Sequence, residues 1–207
     1  MWPALAAIGP RILIPGFFVG QKVSTMSDPS QIAQTIAFSV LFVSFAIALF
    51  SKTPWISLIP GVAAWAYWNM LRDRDGIENY RYTDWAITTP LMLLALLVVN
   101  NVSEIRILGL MIADFIMITA GYVGASWGET TTIMFIIGCI AFIPILYALY
   151  HLKKARWAVA LTMVMWTLYP IVWYMDEYAI IEKQTTNITY SVMDVAAKVG
   201  LVNLLHI

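Results

Sequence analysis

Five stretches of this chain, residues 29 to 51, 53 to 71, 85 to 103, 130 to 152 and 157 to 175, contain no Asp, Glu, Lys or Arg. Each is close to the ~20 residues that carry an α-helix across the hydrocarbon core of a bilayer. Two further segments, about 105 to 124 and 186 to 206, are equally apolar but hold Asp114 in one case and Asp194 with Lys198 in the other. The expected fold is therefore an all-α membrane protein, a seven-transmembrane-helix bundle embedded as an integral, multi-pass chain in lipid. Composition agrees, with 61% of residues hydrophobic and 12% charged, where a soluble domain carries roughly a quarter charged residues.

Once residues 31–207 are assigned to the bundle, no soluble domain or repeat remains. Residues 1–30 are interrupted by Pro3, Pro10 and Pro15 and carry Arg11. They read as an interfacial or capping segment, because a signal peptide needs an unbroken apolar run. Loop charge sets the orientation. With the N-terminus extracellular, the cytoplasmic loops hold Lys52, Glu104, Arg106, Lys153, Lys154 and Arg156, a net +4, and the outer loops sum to −4. That places the C-terminus in the cytoplasm. No basic patch points to nucleic acid, and no metal site is expected. A single cysteine, Cys139, excludes an intrachain disulfide and reads as apolar packing. Asn187 is a formal glycosylation match that lies too near the membrane to carry weight.

The charges left inside the spans are Arg81, Asp84, Asp114, Asp194 and Lys198. Ionisable groups in lipid are costly, which makes each a candidate for function. Lys198 has nine residues after it, so at ~1.5 Å rise per residue it lies ~14 Å from the chain end, too deep to snorkel easily. Asp194, four residues earlier, shares its helical face and can act as counterion. Arg81, Asp84, Trp85 and Thr88 form one stripe of the third segment, and Trp166, Tyr169 and Trp173 another in the sixth, with Pro170 between them. Plain packing and a structural ion-pair network both produce such stripes. A buried lysine amine, however, can also condense with an aldehyde to a Schiff base, and rigid aromatic planes confine a long conjugated ligand.

These residues resemble the microbial (type 1) rhodopsins, nearest in motif to the bacteriorhodopsin branch. RYTDWAITTPLMLLAL (81 to 96) is similar to the third-helix signature, WTLYPIVW (166 to 173) to the sixth, and DVAAKVG (194 to 200) to the retinal-lysine signature of the seventh. ADFIMITAGY and PGVAAWAY fit the fourth and second helices, and the short loops also resemble the compact rhodopsins of large viruses. The resemblance runs from about residue 32 to 206.

It implies all-trans retinal held covalently on Lys198 as a protonated Schiff base. Asp84 would be counterion and proton acceptor, Asp194 the second counterion, and Arg81 an electrostatic gate. Tyr67 and Thr88 would complete the hydrogen bonding around the counterions. Trp85, Thr89, Met92, Met117, Gly121, Trp166, Tyr169 and Trp173 would line the retinal pocket, with apolar Met92 at the colour-tuning position implying green absorption. Asp114 corresponds to a buried, usually protonated structural aspartate, and Asp176 with Glu177 to a proton-release group, for which a solvated acidic loop is the alternative.

The family's cytoplasmic proton donor position is Ala95 here, so reprotonation would come from bulk water, helped by Glu104, and the photocycle would be slow. The expected function is a retinal-binding, light-activated ion transporter and no enzyme, ranked first as an outward proton pump. A light-gated cation channel, with Asn69, Asn100, Asn101 and Asn203 lining a cytoplasmic path, ranks second, and a sensory photoreceptor third. Expected partners are membrane lipid, protons or other small cations, and copies of the chain in a trimer or pentamer.

Overall fold

The computed structural model describes residues 28–205. Residues 1–27, and with them nearly all of the expected capping segment, lie outside the described residues. Among those described are seven α-helices: α1 Pro29–Ala48, α2 Leu58–Arg72, α3 Ile77–Val99, α4 Glu104–Ser126, α5 Thr131–Tyr150, α6 Arg156–Glu177 and α7 Lys183–Leu205. Each packs on its neighbour in sequence, α7 closes the ring against α1, and α2 also reaches α7. Short connections make successive helices antiparallel, so the bundle has two ends. One carries Arg81 near the start of α3, the other Asn100 at its C-cap.

Six of these helices are long and apolar enough to cross a membrane. The exception, α2, has fifteen residues and is prolonged toward the Asn100 end by a 3-10 turn, Pro54–Ser57. Large apolar side chains point away from the ring, among them Phe42 and Ile47 on α1, Phe115 on α4, Ile140 and Ile143 on α5 and Val192 on α7. An apolar surface this extensive is stable only against lipid or another chain. Helix α5 is apolar all round and contains Pro144, whereas α3 is the most buried helix of the ring.

Local chemistry sets the helix ends. Asp28 caps α1 by accepting the Ser30 N–H at 2.9 Å, with Pro29 in the first turn; both are preferred at helix starts. The helix thus begins two residues before the expected boundary at 31. At the other end Asn100 accepts the N–H groups of Lys153 and Lys154 at 2.9 and 2.7 Å, fastening the α5–α6 connection to α3. Gly61 lets α1 and α2 approach closely, since a Cβ there would lie 2.7 Å from the Phe45 ring.

One expectation is corrected here. The third segment was expected to hold Arg81 and Asp84, with Glu78 in the outer loop before it, but α3 runs Ile77–Val99 and includes Glu78 as well. Those charges are met by partners on other helices, so lipid does not exclude them from the helix. Asn100 closes the helix early, and Asn101 takes a left-handed φ of 55°.

Candidate functional site

Lys198 lies on the inner face of α7 and is 1% exposed. Burying an ammonium this deeply is tolerable only if it is paired. Its Nζ donates to Asp84 Oδ2 of α3 and, at 3.0 Å, to Asp194 Oδ1 one turn earlier on its own helix. Both carboxylates are fully buried.

The two acids have different surroundings. Asp194 accepts from Tyr67 of α2 at 2.9 Å, from the Trp85 indole N–H at 3.2 Å and from Tyr169 of α6 at 2.6 Å, in addition to Lys198. Donors from four helices therefore hold it as an anion. Asp84 has Lys198 as its partner on Oδ2, while its buried Oδ1 has no hydrogen-bond partner. Thr88, expected to bond the counterions, lies one turn from Asp84, and its hydroxyl donates to the Asp84 backbone carbonyl at 2.9 Å. A helical threonine back-bonds in this way when its own preceding turn is the nearest acceptor.

A pocket begins at Lys198 and runs between α3, α4, α5, α6 and α7. All eight residues expected to line it do so: Trp85, Thr89, Met92, Met117, Gly121, Trp166, Tyr169 and Trp173. Aromatic pairs fix the walls. Trp85 and Tyr169 meet edge to face at 5.1 Å, and Phe135 stacks on Trp173 at 5.4 Å. The Trp173 indole donates to the Tyr82 hydroxyl at 2.7 Å. Asp114 of α4 meets the Thr89 hydroxyl at 2.9 Å, and that hydroxyl also lies 2.8 Å from the Trp85 carbonyl. One hydroxyl proton cannot serve both acceptors, so the chain is satisfied when Asp114 carries a proton and donates to Thr89.

Arg81, also buried, points toward its own end of the bundle. It donates to Glu78 at 2.8 Å and to Asn187 of α7 at 2.6 Å, and its guanidinium lies 4.7 Å from the centre of the Tyr190 ring. Asp176 of α6 accepts from Lys183 at 2.6 Å and from Thr186 at 2.9 Å, and Lys183 also reaches Glu78 at 3.0 Å. Asp176 is thus a bonded member of a cluster joining α3, α6 and α7, with its side chain 8% exposed; the solvated-loop reading does not hold for it. Glu177 is half-buried beside the cluster and makes none of these bonds. Asn187 is a buried partner of Arg81.

The opposite side of the site contains none of this. Ala95 is 1% exposed, and Leu93, Leu96, Leu97, Ile145, Leu149 and Leu201 are completely buried around the Asn100 half. Among the described residues its buried polar groups are hydroxyls such as those of Ser57 and Thr162. Glu104 is exposed at the start of α4. The asparagines expected on a cytoplasmic path do not come together; Asn203 lines a separate pocket between α1 and α7 with Ser39 and Ser44. Asn69 lies at the Arg81 end, bonded to the Trp65 carbonyl at 2.7 Å, and Asn100 is committed to the α5–α6 connection.

The sequence reading missed the fifth-helix wall (Phe135, Gly138, Cys139 and Phe142) and the Tyr82, Tyr190 and Asn187 contacts. Helical register with Trp85 and Asp194 was the available signal for Tyr82 and Tyr190; α5 offered none.

A buried lysine lining an aromatic pocket, opposed by two carboxylates inside a ring of seven helices, is the arrangement of a membrane protein that can hold a ligand on that amine. A family model described as bacteriorhodopsin-like protein matches residues 25–207, and the chain belongs to that family, the microbial rhodopsins. Bacteriorhodopsin of Halobacterium salinarum is 32% identical over 173 residues, covering 70% of this chain and 66% of its own. The bacteriorhodopsin-II-like protein of Haloquadratum walsbyi is 29% identical over 175 residues, 70% of this chain and 71% of its own. Cyanorhodopsin from Calothrix sp. NIES-2098 superposes with a TM-score of 0.78 at 25% identity, covering 85% of this chain and 92% of that one. The chain is therefore an integral, multi-pass membrane protein of a family that binds retinal through a Schiff base to a lysine and carries out light-driven ion transport.

Proposed function

We propose that this protein is an outward, light-driven proton transporter with all-trans retinal on Lys198, its Arg81 end facing outside and its Asn100 end the cytoplasm. The residues fit the chromophore. The pocket starts at a primary amine, continues between aromatic planes, and confines its charged groups to the amine end. Asp84 Oδ1, buried without a partner, leaves one strong acceptor at that end for a further donor. When bound, retinal supplies light absorption and a change of shape that re-aims the proton-bearing nitrogen of Lys198.

The rest belongs to the protein. Asp84 accepts the proton, because it has an unsatisfied oxygen and one cationic partner. Asp194 stays an anion, because Tyr67, Trp85 and Tyr169 already donate to it. The four groups Lys198, Asp84, Asp194 and Tyr67 exchange charge as a coupled set, so protonation belongs to the set. From Asp84 the proton moves toward Arg81 and its polar cluster. It is not returned from an internal acid on the other side, since Ala95 offers none. Slow recovery from bulk water follows.

The observation that carries this reading is the asymmetry about Lys198, with a carboxylate and a polar network on one side and packed hydrocarbon on the other. The leucine packing around Ala95 also disfavours the channel, which needs a continuous wet path. The test is the photocurrent of retinal-loaded cells under voltage clamp. A current that stays outward at every voltage supports transport; one that reverses with the permeant-ion gradient makes the protein a channel, and no current leaves a sensor. Lys198→Ala protein should lose the visible band, and a retained band would refute the linkage.

A further inference from the structure

The cluster at the Arg81 end has more to it than a polar exit. Asp176 accepts on both oxygens, from Lys183 Nζ at 2.6 Å and from Thr186 at 2.9 Å. Glu78 Oε1 accepts from Arg81 at 2.8 Å and Lys183 at 3.0 Å. The facing groups are Glu78, Arg81 and Tyr82 on α3, Asp176 and Glu177 on α6, Lys183 and Tyr190 on α7, and Tyr67 on α2. Within the bonded set two cations balance two carboxylates. A proton on Asp176 Oδ2 would point at the Lys183 ammonium, one on Asp176 Oδ1 would force the Thr186 hydroxyl to turn to its longer contact, the Glu182 carbonyl at 3.4 Å, and one on Glu78 Oε1 would meet two cations.

We propose that Lys183 locks this exit cluster in a proton-free state, so that the transported proton reaches the outside only when Asp84 itself gives it up. This rests on the outward-transport reading above. Protonation of Asp84 finds no stored proton in the cluster to displace. The release step is then single: the Asp84 carboxylic acid returns to its carboxylate, the proton passes to outer water, and no cluster member changes its protonation. Lys183 is a positioning residue here, acting through Glu78 and Asp176. Without it, Glu78, Asp176 and Glu177 face one guanidinium, and the surplus negative charge takes up a proton in the dark.

The experiment follows retinal-loaded protein after a flash, recording an outer-side pH-indicator dye and the visible band together. In the unaltered chain the dye signal should coincide with return of the dark band. In Lys183→Met it should move forward, ahead of that return, while Lys183→Arg, which keeps a cation, should stay late. As a dark readout, carbon-13 NMR of labelled Asp and Glu carboxyls should show an added protonated carboxyl near neutral pH in Lys183→Met alone. An early signal in the unaltered chain overturns the proposal, as does a late signal in Lys183→Met with no new protonated carboxyl. Should Lys183→Met fail to assemble, timing in the unaltered chain and in Lys183→Arg still decides. Absence of any outer proton signal would instead sink the transport reading, and the NMR comparison would then decide the lock by itself.

Discussion

On the Arg81 side of Lys198 the helices meet through Glu78, Asn187, Asp176 and Lys183, whereas on the Asn100 side they meet through Leu93, Leu96, Leu97, Ile145, Leu149 and Leu201. Both are close packing inside one membrane bundle, but they differ in what they let a proton do. A bonded polar cluster can be solvated, so a proton can pass through water beside it without any member taking it up. Packed leucine offers none, so a proton crosses it only when water enters. On the outward-transport reading proposed above, direction comes from unequal access on the two sides of one amine, and the drier side limits speed.

The strongest way to break this comparison is to remove the acceptor. Asp84→Asn should abolish outward proton movement, measured as light-induced acidification outside oriented cells, while leaving the apolar half intact. Wetting the dry side comes next. Ala95→Asp places an acid in the leucine-lined half, and recovery of the dark band should accelerate about 10²-fold, the scale of a positioned general acid. No acceleration would mean that another step limits the cycle.

Packing can be tested separately from chemistry. Leu149→Ala, in the apolar Asn100 half, should cost about 2–5 kcal/mol of stability, as buried leucine truncations do. Thermal unfolding in detergent measures it, and the visible band should keep its position.

The smallest effect concerns the polar tie beyond the cluster. Asp28 accepts from Gln184 of α7 at 3.0 Å and pairs with Arg74 at 3.4 Å, fastening the start of α1 to its neighbours. The Gln184 bond, with help from Ser30 and Arg74, holds its carboxyl below the ordinary value of 3.8. A carboxyl lowered on folding stabilises above its unfolded value and loses that contribution as pH falls through the folded one. Asp28→Asn should therefore lower the melting temperature slightly at neutral pH. The gap to the unaltered chain should close as the medium becomes more acidic than the ordinary value.

Much of this was legible because lipid is a strict solvent. Charge-free stretches of bilayer length marked the helices, and the few charges left inside them marked Lys198, Asp84 and Asp194. The pocket walls on α3 and α6 could be read from Trp85, Trp166, Tyr169 and Trp173 at helical spacing, whereas Met117 and Gly121 on α4 came only through the resemblance to the family. The wall on α5 could not, since a helix that is apolar all round gives no sign of which face meets a ligand. Glu78, Asp176 and Lys183 looked like loop charges, because sequence order does not reveal which helix ends converge. The first turn of α3 was missed for the same reason: Glu78 is met by Lys183 on α7, far along the chain.

One measurement tests unequal access most directly: the rate of dark-state recovery in oriented vesicles, with the pH on each side varied independently. If protons return only through the dry Asn100 half, recovery should slow in proportion as the proton concentration on that side falls, and should ignore the pH on the Arg81 side. A rate governed instead by the Arg81 side, or by neither, would contradict a proton path that enters through one half of the bundle and leaves through the other.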